Sequence, residues 1–385
     1  MKESLNRLKS KLSYLHKCAL GLLLLVIVGG LSGCQTWKFY GQAIKGQYQI
    51  FAHEEPVNQL EADPHTSAEL KQRLELLDQL RAFAAHELKL PLDDHYRKYV
   101  DLHRPFVVWN VEAAPEFSMQ PKTWWYPLVG SLEYRGYFSK PDATNYAAAL
   151  RRKGFDVSVG GVEAYSTLGW FKDPVLNTFL FENDADLAEI IFHELGHQRV
   201  FARGDTDFNE AFATTVGEEG ARRWLKARGD TAGLDRYLGH LRRNQDFVHL
   251  VMATRARLEA LYGDHDLGEG KVKASQKNHD VPVVRLRAEK QRIYDDMKQQ
   301  FLALKADWKG DPGVDSWFKH PVNNADLNSV AAYYDLVPAF EQILAQNGGD
   351  LEKFYQVAAR LAKAPKSERR EQLRSLAQAA RHPRA

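Results

Sequence analysis

The chain has 385 residues, 44% apolar and 26% charged, an ordinary globular balance with length enough for one large domain or two. Lys and Arg number 52 against 50 acids, which excludes a strongly basic, nucleic-acid-binding surface. Residues 1–33 hold five Lys/Arg and one acid, so the remainder is net −2, and the only cysteines are Cys18 and Cys34.

The leader opens with a basic stretch, "MKESLNRLKSKLSYLHK". The apolar run "CALGLLLLVIVGGLSG" follows, too short and too Gly-broken for a membrane span. It ends in Leu31, Ser32, Gly33 and Cys34, which resembles the lipobox of bacterial lipoproteins. The resemblance implies cleavage before Cys34 and a lipid on that cysteine, anchoring the protein in the cell envelope facing the periplasm. The alternative is a signal anchor left in place. Gln35, where sorting to the inner membrane uses Asp, implies the outer membrane. With Cys18 removed and Cys34 lipidated no disulfide is available, so the core or a metal must hold the fold.

Residues 35–100 read as helical. "YGQAIKGQYQIFAHE" and "TSAELKQRLELLDQLRAFAAHEL" space apolar residues at helical intervals, with Thr66 or Ser67 to cap the second and Pro91 to stop it. From 104 the texture becomes Val-, Tyr-, Phe- and Trp-rich. "RPFVVWNVEAA", "WWYPLVGSLEYRGYF", "FDVSVGGVEAYS" and "VLNTFLFEN" read as strands of a small mixed sheet, and "PDATNYAAALRRKG" as one helix laid on it. A helix capped by Asn183 or Asp184 follows, and a second runs from about Phe208 to Gly229. Residues 231–265 and 282–308 read as a pair of amphipathic helices joined by a loop. A last helical block starts near "NNADLNSVAAYYDLVPAF", and the basic tail "KSERREQLRSLAQAARHPRA" is expected to fray.

The helix after Asn183 carries "FHELGHQRVF" (192–201). At about 100° per residue, His193 and His197 lie roughly 40° apart, one turn on. Both imidazoles can reach one ion, while Glu194 borders the same site as a base for a metal-activated water. That is the HExxH arrangement of zinc peptidases. A solvated helix that spells the motif by chance is the alternative. Val200 and Arg203 stand where a metzincin needs Gly and His. Glu210, in the first turn of the next helix, can serve as third ligand if "ARGDTDF" folds the two helices together, whereas Glu218 and Glu219 lie two turns too far. Thr214, Asp207 and Asn209 are candidates to orient the ligands.

An edge strand beside such a helix can pair with an extended peptide, and "VGGVEAYSTLGW" is the candidate. Within it Gly161 and Glu163 loosely resemble the Gly-x-Met-Glu-Asn segment of the aminopeptidase N family, whose Glu holds the substrate amine. The Met and Asn are missing, and an ordinary strand-end acid is the other reading of Glu163. An oxyanion donor is also required. Tyr137, Tyr165, Tyr333 and Tyr334 are candidates, with Tyr334 and Tyr165 put forward.

Six segments in order over residues 36–345 resemble the bacterial "predicted aminopeptidase" group of zinc peptidases. They are "RPFVVWNVEAAPEFS", "YPLVGSLEYRGYFS", "VGGVEAYSTLGWFKDPVLNTF", "FHELGHQ", "FNEAFATTVGEEG" and "NNADLNSVAAYYDLVPAF". The resemblance implies a gluzincin-type site with Zn2+ on His193, His197 and Glu210 and a catalytic Glu194, acting on peptides or proteins. It implies an α+β, zincin-like fold: a small mixed β-sheet with an HExxH helix, then a mostly α-helical part. The segments expected are a signal peptide (1–33), a helical segment (34–103), the catalytic core (104–229), helices completing the cleft (230–345) and a helical, partly frayed tail (346–385). The rival readings are an envelope endopeptidase with the same site, and a non-enzymatic lipoprotein with structural zinc.

Overall fold

The computed structural model describes residues 34–126, 129–164, 172–263, 282–308 and 315–381. The leader before Cys34, Tyr165 and most of the 262–282 loop lie outside these. The chain divides into two units, one ending at Ala52 and one beginning at His53. The first contributes α1 (Cys34–Ala52), whose Phe39 and Tyr40 rings meet edge to face. No described helix is long and apolar enough to cross a membrane.

The second unit begins with β1 (Glu55–Pro56), α2 (Val57–Ala62) and α3 (Ala68–His86), the last capped by Ser67, whose Oγ accepts from Leu70 N–H. Then come β2 (Lys98–Val100), β3 (Val108–Pro115), β4 (Trp124–Tyr126), β5 (Gly130–Leu132) and β6 (Tyr134–Tyr137). Next are α4 (Lys140–Arg151), β7 (Phe155–Val162) and β8 (Val175–Leu176). One small sheet is mixed, with β2 antiparallel to β1 and parallel to β8. The main sheet has the order β6-β3-β7 and is antiparallel throughout. Alternation along β3 buries Val111 and Ala113 and turns Glu112 to the other face, between Tyr134 and Ser158 of the flanking strands. On α4, Ala143, Ala147 and Leu150 form the buried stripe.

The rest is helical: α5 (Asn177–Leu180), α6 (Asp184–Arg199), α7 (Thr206–Ala227), α8 (Thr231–Tyr262), α9 (Val283–Asp307), α10 (Asn324–Tyr334), α11 (Val337–Gln346), α12 (Leu351–Lys363) and α13 (Lys366–Arg381). A small sheet region followed by a mostly helical part is thus the observed α+β architecture. The segment 175–183, read from sequence as one strand, gives only two residues to β8. Asn177 stops it there: its side chain accepts from Leu102 N–H and donates to Arg104 C=O, and α5 begins. The basic tail expected to fray is helix α13 as far as Arg381, with Leu373 and Ala377 buried.

Two apolar cores meet at α10. One joins α8 and α9 through Phe247, Leu250, Val251, Leu258, Met297 and Phe301, together with Leu327 of α10. The other packs α7 on α11 and α12, with Phe212 stacked on Phe354 at 5.5 Å and Phe208 edge-on to Phe340 at 5.2 Å. Each such ring, fully buried, contributes about 1.5–3 kcal/mol. The polar residues that open α10 are structural. Asn323 and Asp326 form a capping box. Buried Asn324 donates to the carbonyls of Pro115, Glu116 and Ser118 and accepts from the hydroxyls of Tyr262 and Tyr294. One amide therefore locks α8, α9 and the loop after β3 to the helix that carries Tyr333.

Candidate metal centre

The centre is built on α6 and α7. Asn183 caps α6 by accepting from the N–H groups of Ala185 and Asp186. Leu187, Ile191, Phe192 and Leu195 are fully buried, which fixes the rotation of the helix. The turn to α7 reverses at Gly204, whose φ of 74° suits glycine. Asn209 closes this turn, accepting from Ala202 N–H at 2.7 Å and donating to Ala202 C=O at 2.9 Å. Glu210 follows directly.

His193 Nε2 and His197 Nε2 each lie 3.5 Å from Glu210 Oε2, and the two imidazoles meet edge to face with centroids 4.8 Å apart. A separation of 3.5 Å is long for a hydrogen bond. A tetrahedral ion with bonds near 2.1 Å holds its ligand atoms about 3.4 Å apart. Glu210 therefore stands from each imidazole at the spacing of ligands that share an ion, and with all three ligand atoms within 4.8 Å of one another they form the cluster of this kind among the described residues. Burial works to raise the Glu210 carboxyl, but the facing His197 and His193 override it and hold it down at about 2. Burial works to lower His197, yet Glu210 and Glu194 leave it raised.

Glu194 is 8% exposed, and its Oε2 is buried with no hydrogen-bond partner among the described residues. Burial raises its carboxyl, opposed by His193 and His197. A carboxylate with an open lone pair, in the field of two imidazoles, suits a proton acceptor. His197 Nδ1 is likewise buried and unpartnered among the described residues. Asp207 and Asn209, expected to orient ligands, are engaged elsewhere: Asp207 with Arg370 and Asn209 with Ala202.

Around the cluster stand groups that sequence reasoning ranked low or passed over. The Tyr333 ring stacks against His193, centroids 6.3 Å apart and planes 28° apart, and the charge of Glu210 is the chief cause holding its hydroxyl well above its usual range. Tyr134 lies in the same field of Glu210 and Glu194. Burial first, then Asp326, Glu133 and Glu210, push Glu112 up to about 8. Tyr96, 2% exposed, is raised by burial and then by Glu194. It sits at φ 58°, a left-handed backbone unusual for a bulky residue, pinned by its N–H to Asp173 C=O at 2.8 Å. Strand alternation carries the signal for Glu112, since its neighbours Val111 and Ala113 are buried on the other face.

The other sequence candidates fall elsewhere. Tyr334 faces Glu189 and Glu218, with Asn244 hydrogen-bonded to its hydroxyl, and Tyr137 packs on Tyr146. Tyr165 is outside the described residues. Burial first, then Glu182 and Asp186, raise Glu163, and its carbonyl accepts from the Thr178 hydroxyl of α5. Gly161 lies on β7, an edge strand of the main sheet, under the Phe106 ring, which a Cβ would strike at 2.4 Å.

Fold and site together define an α+β protein with a His–His–Glu cluster able to hold a metal ion beside a buried glutamate. A family model described as "Putative aminopeptidase" matches residues 38–373, and the chain belongs to that family. No curated protein and no solved structure matches it.

Proposed function

We propose that the chain is a zinc-dependent aminopeptidase of gluzincin type, lipid-anchored through Cys34 to the outer membrane and facing the periplasm. The "LSGC" sequence supports the anchor. The observation that carries the chemistry is Glu210 Oε2 lying 3.5 Å from Nε2 of both His193 and His197, with the open carboxylate of Glu194 beside them. His193, His197 and Glu210 hold the ion, and mixed nitrogen and oxygen donors suit zinc. A bound zinc ion supplies Lewis acidity toward the scissile carbonyl and toward water.

The chain's own residues do the rest. Glu194 takes a proton from the attacking water and returns it to the leaving amine. Tyr333 donates its hydroxyl to the developing oxyanion, a role its stacking on His193 supports better than the position of Tyr334 does. An amine bound beside the cluster needs an acid there. Glu112, which feels Glu210, is the acid proposed for that contact in place of Glu163, whose acidic neighbours are Glu182 and Asp186.

The test is metal analysis of the purified chain together with cleavage of matched unblocked and N-acetylated peptides. One zinc per chain is expected, with hydrolysis of the unblocked peptides that stops on chelation and returns with zinc. Absence of metal refutes the reading. Equal cleavage of acetylated peptides makes the protein an endopeptidase, and zinc without cleavage makes the ion structural.

A further inference from the structure

The turn that delivers Glu210 is held from outside by α13. Asp205 is the N-cap residue of α7, but its side chain caps nothing there and is completely buried. Arg369 donates to Asp205 Oδ2 through both Nε, at 2.9 Å, and Nη2, at 2.7 Å. Its third nitrogen donates to the carbonyls of Ala362 and Ala364, both at 3.0 Å, so the guanidinium is fixed from two sides. Arg370 bridges Asp207 Oδ2 at 2.5 Å and Asp205 Oδ1 at 3.4 Å. Lys366 donates to Gly204 C=O at 2.8 Å. Residues 366, 369 and 370 share one helix face, and together they grip residues 204–207 of the turn.

Burying an ion pair of this kind costs about as much desolvation as its attraction returns, so stability alone does not explain it. What the planar, two-pronged guanidinium supplies is position. Glu210 Oε2 lies 3.5 Å from each imidazole nitrogen, where a displacement of a few tenths of an ångström separates a filled coordination shell from an open one.

We propose that Arg369, with Arg370 beside it, is a positioning residue of the metal centre: α13 is a strap that sets Glu210 against His193 and His197 through Asp205 and the turn. The inference rests on the metal-binding reading above and acts through Glu210, without contact with substrate.

The full chain, purified in detergent, is compared with Arg369→Met, Arg370→Gln and Leu373→Ala. Leu373 is fully buried on the same helix and makes no ion pair, so its truncation loosens the docking of α13 and leaves the acids paired. Zinc affinity is read by competition with a chromophoric chelator, and the visible spectrum of the cobalt-loaded chain reports the ligand geometry. Arg369→Met should bind zinc about 10- to 100-fold more weakly and alter the cobalt spectrum, as loss of outer partners does at metal sites. Leu373→Ala should lower the thermal midpoint yet keep its zinc affinity within about twofold of the parent, since the ligand-orienting contacts survive. If Arg369→Met fails to fold by circular dichroism, Arg370→Gln carries the same two readouts. Parent-like affinity and spectrum in the arginine variants overturn the strap alone, as does equal weakening in Leu373→Ala. A parent chain that binds no ion overturns the metal-binding reading, and the strap with it.

Discussion

Gly217→Ala probes how closely the two ligand-bearing helices approach. A Cβ at this position of α7 meets Glu189 C=O at 2.9 Å, and Glu189 Cγ and His193 Cβ at 3.2 Å. Carbon contacts rest near 3.5–4.0 Å, so α7 must retreat by roughly 0.3–0.6 Å. Two effects compete. Alanine favours the helix by about 0.8–1.0 kcal/mol over glycine. Overpacking costs about 1–3 kcal/mol, and the upper part of that range applies because the nearest atom is a backbone carbonyl that cannot swing aside. The net expectation is a loss of about 1–2 kcal/mol. The retreat also draws Glu210 from the imidazoles, so ion affinity falls. Gly196→Ala, on the facing helix, is the control. Its nearest atoms are Ala213 Cα and Val216 Cβ at 3.4 Å, close to ordinary contact, so helix preference offsets the crowding and stability stays level or rises. Thermal unfolding and chelator competition on the two variants and the parent give both readouts. Equal midpoints for the two variants, with undiminished ion binding in Gly217→Ala, refute the reasoning.

Glu194→Gln should keep its ion and lose about 10²–10⁴ in turnover, measured by metal content and steady-state hydrolysis; unchanged turnover removes Glu194 as the base. Tyr333→Phe should lower kcat by about 10²–10³ with KM little moved, while Tyr334→Phe stays close to the parent; the reverse order transfers the oxyanion role to Tyr334. In the metal-free protein, raised His197 contributes stability that is complete below its ordinary 6.5 and is lost as pH rises through the raised value. Glu210, held down at about 2, contributes above its ordinary 4.5 and loses that contribution as pH falls through about 2. The contribution of the pair is therefore whole between pH 4.5 and 6.5. The metal-free thermal midpoint should fall above pH 6.5, and because an ion needs neutral imidazoles its own stabilisation should grow in the same direction. A gap between loaded and metal-free midpoints that narrows on raising the pH contradicts this.

Local chemistry made the ligand helices readable. The Asn183 cap, the apolar stripe and the spacing of His193 and His197 all act within a few residues, and Glu210 follows from one short turn. What escaped depends on distance or on helix phase. Tyr333 and Tyr334 differ by about 100° of rotation, and packing of α10 on the sheet decides which of them faces His193. Glu163 attracted notice through its glycine neighbours, whereas Glu112 had only strand alternation to mark it. The basic tail looked solvated because its partners, Asp205 and Asp207, lie far upstream and leave no pattern in the tail itself.

That separation bears on the order in which the molecule is completed. The three ligands fall within residues 193–210, so a single helical hairpin brings them together with little loop-closure entropy. The Arg369–Asp205 contact spans 164 residues and belongs to the slow, non-local stage of folding. A chain emerging N-terminus first has its ligands in hand long before α13 exists to fix their spacing. On the metal-binding reading, loose ion capture comes early in the life of the chain, and with the proposed strap the final set of the site comes with the docking of α13.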